Sequence, residues 1–501
     1  MSALRHWPAV VRPLAAVGLA IGLTAAAANS SGAIVLGAPP SGSAGALGRS
    51  TVPVREALAV CPGPETEGLS SVPGVAGMLT SVSAASAPDS VLAALGAAPP
   101  QAPGGVVRLL RRPLGGELGA LTTRGGAVGG TVTGATLVEV AATESLAPAV
   151  AGLQTSVLAG ESDDRGLAAT PCATPSPDVW LLAGGGDATR RERLVVANPG
   201  ANTLTVDVEV YGAAGKRAGA AAGRLAVPPH GRVSLLLDAL AAGESSPAVH
   251  VTATGGVITA VLEDAWIEGA VGRGRDDSAA AAAPALEQVV PAMVLAGPAH
   301  LRLLVPGPDE AVVLARLLTP DAPLALPGGG VSRVKGGTVL DVDLGSVAPG
   351  DYAIQIRSDQ PVTAAVLVQR LGADGKGPSD LAWVPATPSL AATQTLTGSP
   401  VPAGAAAQLV LAGTGGPWRA TLTSVGPDGT VSSRIVEGSA DSSASNVVTG
   451  AAAVWVVPMV GTVYAGLSLS LPDPVGPLYA AVGLYPIPVL TAAVPVRSVR
   501  R

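Results

Sequence analysis

"GDYAIQIRSDQPVTAAVL", Gly350–Leu367, reads as two apolar runs on either side of a polar Ser-Asp-Gln-Pro step. In its first half Tyr352, Ile354 and Ile356 fall on one face of an extended chain, and Gln355 and Arg357 fall on the other. That period of two is the signature of a half-buried strand. The polar step and the second run together predict a hairpin. The pattern returns upstream as "PAVHVTATGGVITAVL" (Pro247–Leu262) and downstream as "GTVYAGLSLSLPDPVGPLYAAVGL" (Gly461–Leu484). The interval of about 100 residues is the size of an immunoglobulin-type sandwich. It is too long for a solenoid repeat of about 20–50 residues.

Neighbouring sequence carries the same signal. In "TLTVDVEVYG" Leu204, Val206, Val208 and Val210 alternate with Thr205, Asp207 and Glu209, and "TVLDVDLG" alternates likewise. Turn signals such as Asn198-Pro199-Gly200 and Pro427-Asp428-Gly429 punctuate the runs. The expectation is an all-β chain of tandem immunoglobulin-like β-sandwich domains behind an N-terminal signal or anchor helix. Its divisions are a signal peptide or signal-anchor helix over 1–30, a flexible linker over 31–56, and a degenerate, disulfide-closed β domain over 57–177. Ig-like domains follow over 178–285, 286–381 and 382–495, the last opening at "LAWVP", with a tail over 496–501. The Gly-rich "GAVGRGRDD" and "GADGKG" read as linkers between domains.

Composition supports many short strands. The 501 residues are 48% hydrophobic and 13% charged, with 65 Gly and 45 Pro. Aromatics are 2% and Phe is absent, so cores are built from Val, Leu and Ala. A net charge of −6 with only three lysines (Lys216, Lys335, Lys376) argues against nucleic acid, which is bound through clustered basic residues.

Arg5 and Arg12 precede the apolar run Pro13–Ala28, with small residues after it. This is the plan of a secretory signal, and cleavage and retention as an anchor both stay open. Everything after it is expected outside the cytoplasm, secreted or tethered to the cytoplasmic membrane by this segment. The two cysteines, Cys61 and Cys172, bound the first domain, and in an oxidising compartment an even pair reads as a disulfide.

The succession "CPGP", "RGLAATPC", W-x-x-x-G-G-G, L-x-x-x-N-P-G, "VPPHGR" and "SPAVHVTATGG" resembles an uncharacterised domain-of-unknown-function family of exported proteins from high-GC Gram-positive bacteria. The likeness is close from about Ala57 to Gly269 and looser over the rest of the chain. It implies export and Ig-like repeats, and it brings no active site.

No catalytic motif emerges. His230, His250 and His300 stand without ligands at metal spacing, and no G-x-S-x-G elbow or Walker loop is present. The acidic stretches "GESDDRG", "EDAW" and Asp276-Asp277 match no EF-hand loop and read as solvated turns. No metal site, cofactor or catalytic residue is expected, and the chain does not read as an enzyme. Of the tryptophans, Trp418 in "TGGPWRA" sits on a Gly-rich stretch and is the candidate for stacking on a ligand ring. The reading is a non-catalytic envelope module, structural or protein-binding, whose partner is an envelope protein or cell-wall polymer. The alternatives are a carbohydrate or wall-polymer binder and, more remotely, a carboxylate hydrolase.

Overall fold

The computed structural model describes residues 54–64, 77–96, 104–113, 115–186, 189–217, 224–372, 375–391, 395–487 and 489, and the backbone of two short strands, Ser50–Val52 and Ala492–Val494. The signal or anchor segment and the tail read from the sequence lie outside these residues. The chain divides into two compact units, Pro53–Ala492 and a smaller one made of Met1–Val52 with Ala493–Arg501. Ser50–Val52 pairs with Ala492–Val494 in a two-stranded sheet.

The larger unit is all-β, and every strand pairing described in it is antiparallel. Its strands fall into four successive repeats. In the second repeat one sheet runs Asp178–Leu182, Ala248–Thr254, Leu204–Gly212, Gly215–Arg217, with Leu225–Val227 also on Leu204–Gly212. The other runs Gly231–Leu236, Arg190–Asn198, Thr259–Glu268, Val271–Ser278. The buried Leu204, Val206, Val208 and Val210 face Leu194, Val196 and Leu262 in one core, as their alternation requires.

The first repeat has the same two-sheet plan between Glu56 and Pro171, whereas long strands join the third, Ala285–Pro385, into one 8-stranded sheet and the fourth, Leu390–Leu484, into one 7-stranded sheet. Each encloses its own Val, Leu and Ala core. The described helices are single turns such as Asp89–Ala94, and none is long and apolar enough to cross a membrane.

One sheet in each repeat ends in a short last strand: Gly166–Pro171, Val271–Ser278, Asp380–Pro385 and Leu478–Leu484. These four pack against one another in sequence, and the fourth returns to the first. The result is a closed, propeller-like ring of four sheets with four axial strands at its centre. The first and second repeats each add a separate sheet to their axial one.

Three sequence expectations are corrected here. Gly350–Leu367 is no hairpin. Gly350–Arg370 is one strand whose first half pairs with Ala285–Leu295 and Ala311–Leu318 and whose second half pairs with Ala299–Leu304 and Asp380–Pro385. The polar step is where the strand changes partners, because Pro361 has no N–H to continue a ladder. Ala453–Leu471 stays paired with Ala406–Val425 along its length, with its register broken near Gly461, where φ is +77°.

The second correction concerns "LAWVP", which closes the third repeat instead of opening the fourth, since Asp380–Pro385 pairs with the end of Gly350–Arg370. The third concerns "GAVGRGRDD", read as a linker. Val271–Ser278 is the axial strand of the second repeat. Its glycines are needed for close approach: a Cβ on Gly274, whose φ is +120°, would lie 2.5 Å from the Leu381 amide nitrogen.

Candidate functional site: the axis of the ring

The axial strands are edges of their sheets, so some of their backbone N–H groups have no ladder partner. Buried away from water, such groups must find acceptors elsewhere. Asp380 supplies them. Its Oδ1 accepts from the N–H groups of Arg275 (3.2 Å) and Leu381 (2.9 Å), and its Oδ2 from those of Leu167 (2.9 Å) and Tyr479 (2.8 Å). One fully buried carboxyl group thus takes a backbone hydrogen from each of the four axial strands.

Burial pushes the Asp380 carboxyl up to about 7, against the downward pull of the four N–H donors. Asp276 is raised well above the ordinary aspartate range, first by burial and then by the charges of Asp277 and Asp380. The Trp383 N–H, 2.6 Å from its Oδ2, works the other way.

Arginines complete the axis. Arg165 is fully buried and donates to the carbonyls of Ser379 (2.9 Å), Pro477 (3.0 Å) and Gly476 (3.0 Å), tying the first repeat to the third and fourth. Arg302 grips both oxygens of Asp341 at 2.8 Å and donates to the carbonyls of Ala183, Gly184 and Pro247, each at 3.0 Å. Its guanidinium lies 4.7 Å from the centre of the Trp383 ring, whose Nε1–H donates to Asp264. Arg190 donates to the same Asp264 oxygen at 2.5 Å.

Raised carboxyls often mark catalytic sites, but here both are bound to backbone N–H groups of neighbouring strands. What the arrangement does is hold four sheets in register. Sequence reasoning missed Asp380, Arg165 and Arg302. The one available signal was a charged residue at the mouth of an apolar run, as in "SDLAWVP".

The residues singled out from sequence are placed as follows. Cys61 and Cys172 form a disulfide inside the first repeat, joining its first strand to the end of its axial strand. Trp418 does not present a stacking face. It is 2% exposed, packed in the fourth core, with Nε1–H donated to Ser442 Oγ at 3.0 Å. The nearby glycines make room for the ring and do not expose it, for a Cβ on Gly413 would fall 2.1 Å from Trp418 Cδ1.

His250 stacks on Trp180 at 3.7 Å between Asp178 and Glu209. Of the acidic stretches, Asp164 pairs with Arg191, while Asp264 and Asp276 belong to the axis. Among the described residues no group of three or more His, Cys, Asp or Glu side chains is arranged to hold a metal ion.

A family model described as a family of unknown function (DUF5719) matches residues 127–448, well over half of the chain. The chain belongs to this family. No curated protein matches it. Among solved structures it is similar to a crystal structure of a tetra-tandem repeat in the extending region of a large adhesion protein. The identity is 12%, over 79% of this chain and 94% of that one, with a TM-score of 0.10, which carries no argument.

Proposed function

We propose that this DUF5719 chain is an exported, non-catalytic module of the cell envelope. In this reading its repeats are Ig-like sandwiches, closed into a rigid ring that offers its outer strands to a protein partner. The observation that supports it most is the use of Asp380. Among the described residues, the raised carboxyls of Asp276 and Asp380 are committed to backbone hydrogen bonds between repeats, which is the chemistry of a scaffold. The disulfide fits an oxidising compartment.

A surface for a protein partner lies at the edge of the fourth repeat's sheet. Ile435 (58% exposed) pairs across from Thr421, whose hydroxyl reaches Met459, and Val460 is exposed beside them. Apolar side chains gathered in the open suit a protein contact. The second reading, a binder of cell-wall polymer, loses Trp418 as its platform.

The test is a photo-crosslinking residue at Ile435 in the intact envelope, with one at Asp207 on the second repeat as control. The proposal expects a discrete protein adduct from Ile435 and not from Asp207. Retention of the purified protein on isolated wall polymer, with no protein adduct, would overturn it in favour of the second reading.

A further inference from the structure

We infer that the cleft between the third and fourth repeats is a binding site for a small hydroxylated carboxylate, of which a hexuronic acid is the simplest form. The cleft has a volume of about 460 Å³ and is lined by Arg370, Gln408, Thr449, Ser468, Ser470 and Tyr479, with aliphatic side chains between them. That volume falls in the range of small-molecule sites, about 300–1,000 Å³.

Arg370 carries the inference. The other arginines that bridge repeats are saturated: Arg165 by carbonyls and Asp473, Arg302 by Asp341 and three carbonyls. The Arg370 guanidinium lies 4.4 Å from the centre of the Tyr479 ring, beside its hydroxyl, and among the described residues no carboxylate is paired with it. Asp351 is close enough to influence Tyr479, but its bonded partner is the Gln408 amide nitrogen. A guanidinium carries five N–H donors in a fork, so one that leans on a ring and its hydroxyl keeps a pair of donors for a planar, two-oxygen acceptor. A carboxylate is that acceptor.

The rest of the wall chooses the remainder of the ligand. With its amide nitrogen engaged by Asp351 and Ser445, Gln408 keeps its carbonyl oxygen as an acceptor. Ser470 is exposed at the rim, and the lining hydroxyls of Thr449 and Ser468, which donate to the backbone carbonyls of Ala407 and Gln408, keep lone pairs as acceptors. Such a mixture of hydroxyls and one amide oxygen matches ring hydroxyls better than an alkyl chain. The inference does not depend on the scaffold reading.

Isothermal titration of the full chain with D-glucuronate tests it, with D-glucose and acetate alongside. Saturable glucuronate binding is expected, at least ten-fold tighter than either control. Arg370→Gln should weaken it at least ten-fold at an unchanged melting temperature. Ser470→Trp, a rim substitution that fills the mouth, should abolish it, and decides the matter alone if Arg370→Gln proves unstable. No saturable glucuronate binding, equal affinity in both variants, or equal binding of glucose or acetate would each overturn the assignment.

Discussion

The axial strands and the strand Val431–Gly438 are all sheet edges, yet they solve the same problem in opposite ways. Val431–Gly438 leaves residues 431–435 open to solvent, and its charges are engaged along the surface, Arg434 on Asn446 and Glu437 on Arg419. Water serves its free backbone groups, and charge discourages pairing with another chain. At the axis the strands are buried, so N–H groups from four edges converge on the single carboxyl of Asp380. An edge is tolerable when solvated, or when it is buried against an acceptor the sequence has placed there.

The sharpest way to break this contrast is Asp380→Ala. A hydrogen bond to a charged group contributes about 1.5–3 kcal/mol, and each buried donor left without a partner costs about 1–3 kcal/mol. With four donors orphaned, a loss of about 5 kcal/mol in urea unfolding is expected, or failure to close the ring. A loss under about 1 kcal/mol would mean that water enters the axis and replaces the carboxyl.

The disulfide comes next. Cys61 and Cys172 are separated by 111 residues and tie the axial strand of the first repeat to its second sheet. In the chain-entropy model a loop of that length contributes about 4–5 kcal/mol. Replacing both by Ser should lower the urea midpoint accordingly, and reduction of the wild type should reproduce the shift. Agreement between the two measurements separates the covalent tie from the packing of the sulfurs.

Gly274→Ala tests close approach beside the Asp380 carboxyl, whose Oδ1 would lie 2.5 Å from the new Cβ. Its Cβ would lie 2.6 Å from the Asp380 Cα and 2.5 Å from the Leu381 nitrogen, both backbone atoms that cannot swing aside. A loss of about 3 kcal/mol is expected, most of it from displaced strands and the rest from a positive φ. Gly269→Ala is the control, with a positive φ but open space around the Cβ position. Its loss should be about 1 kcal/mol.

These glycines also show what was legible in the sequence. Strands half-buried in one core announce themselves, as in Leu204–Gly212, because alternation is set by the repeat itself. Leu478–Leu484 is legible as the second run of a hairpin, but the axial strand Val271–Ser278 is invisible by the same test, since other repeats cover it. "GRGRDDS" therefore looks like a solvated linker although Gly274, Arg275, Asp276, Asp277 and Ser278 are all buried. Gln355 makes the point within one strand. Its alternation marks it as outward, and it does leave its own core, but Arg316 and Glu287 from the third repeat and Asp441 from the fourth enclose it completely. Trp418 failed for a related reason: glycines around an aromatic ring look the same in sequence whether they expose it or make space for it.

A pH series sharpens the Asp380 half of the comparison. A carboxyl raised on folding from near 3.8 to about 7 favours the folded state most below its unfolded value. That contribution is lost as the pH rises through 7. The stability gap between the wild type and Asp380→Asn should therefore narrow by about 2 kcal/mol from pH 5 to pH 8. A gap that stays flat over the same range would show that the four N–H donors outweigh burial and keep the group ionised.

The smallest effect belongs to the open edge. Ile435→Lys on Val431–Gly438 replaces an exposed apolar side chain on a strand whose backbone is already solvated. Its stability should stay within about 0.5 kcal/mol of the wild type. The same substitution should, however, remove whatever contact the apolar patch makes in the envelope. A variant that folds normally and loses its crosslinked partner would separate the two kinds of edge by function, the axial ones built to close the ring and the outer one left open to meet another surface. A variant that loses several kcal/mol would instead show that Ile435 packs in the folded protein, and the contrast between the edges would fail at its solvent side.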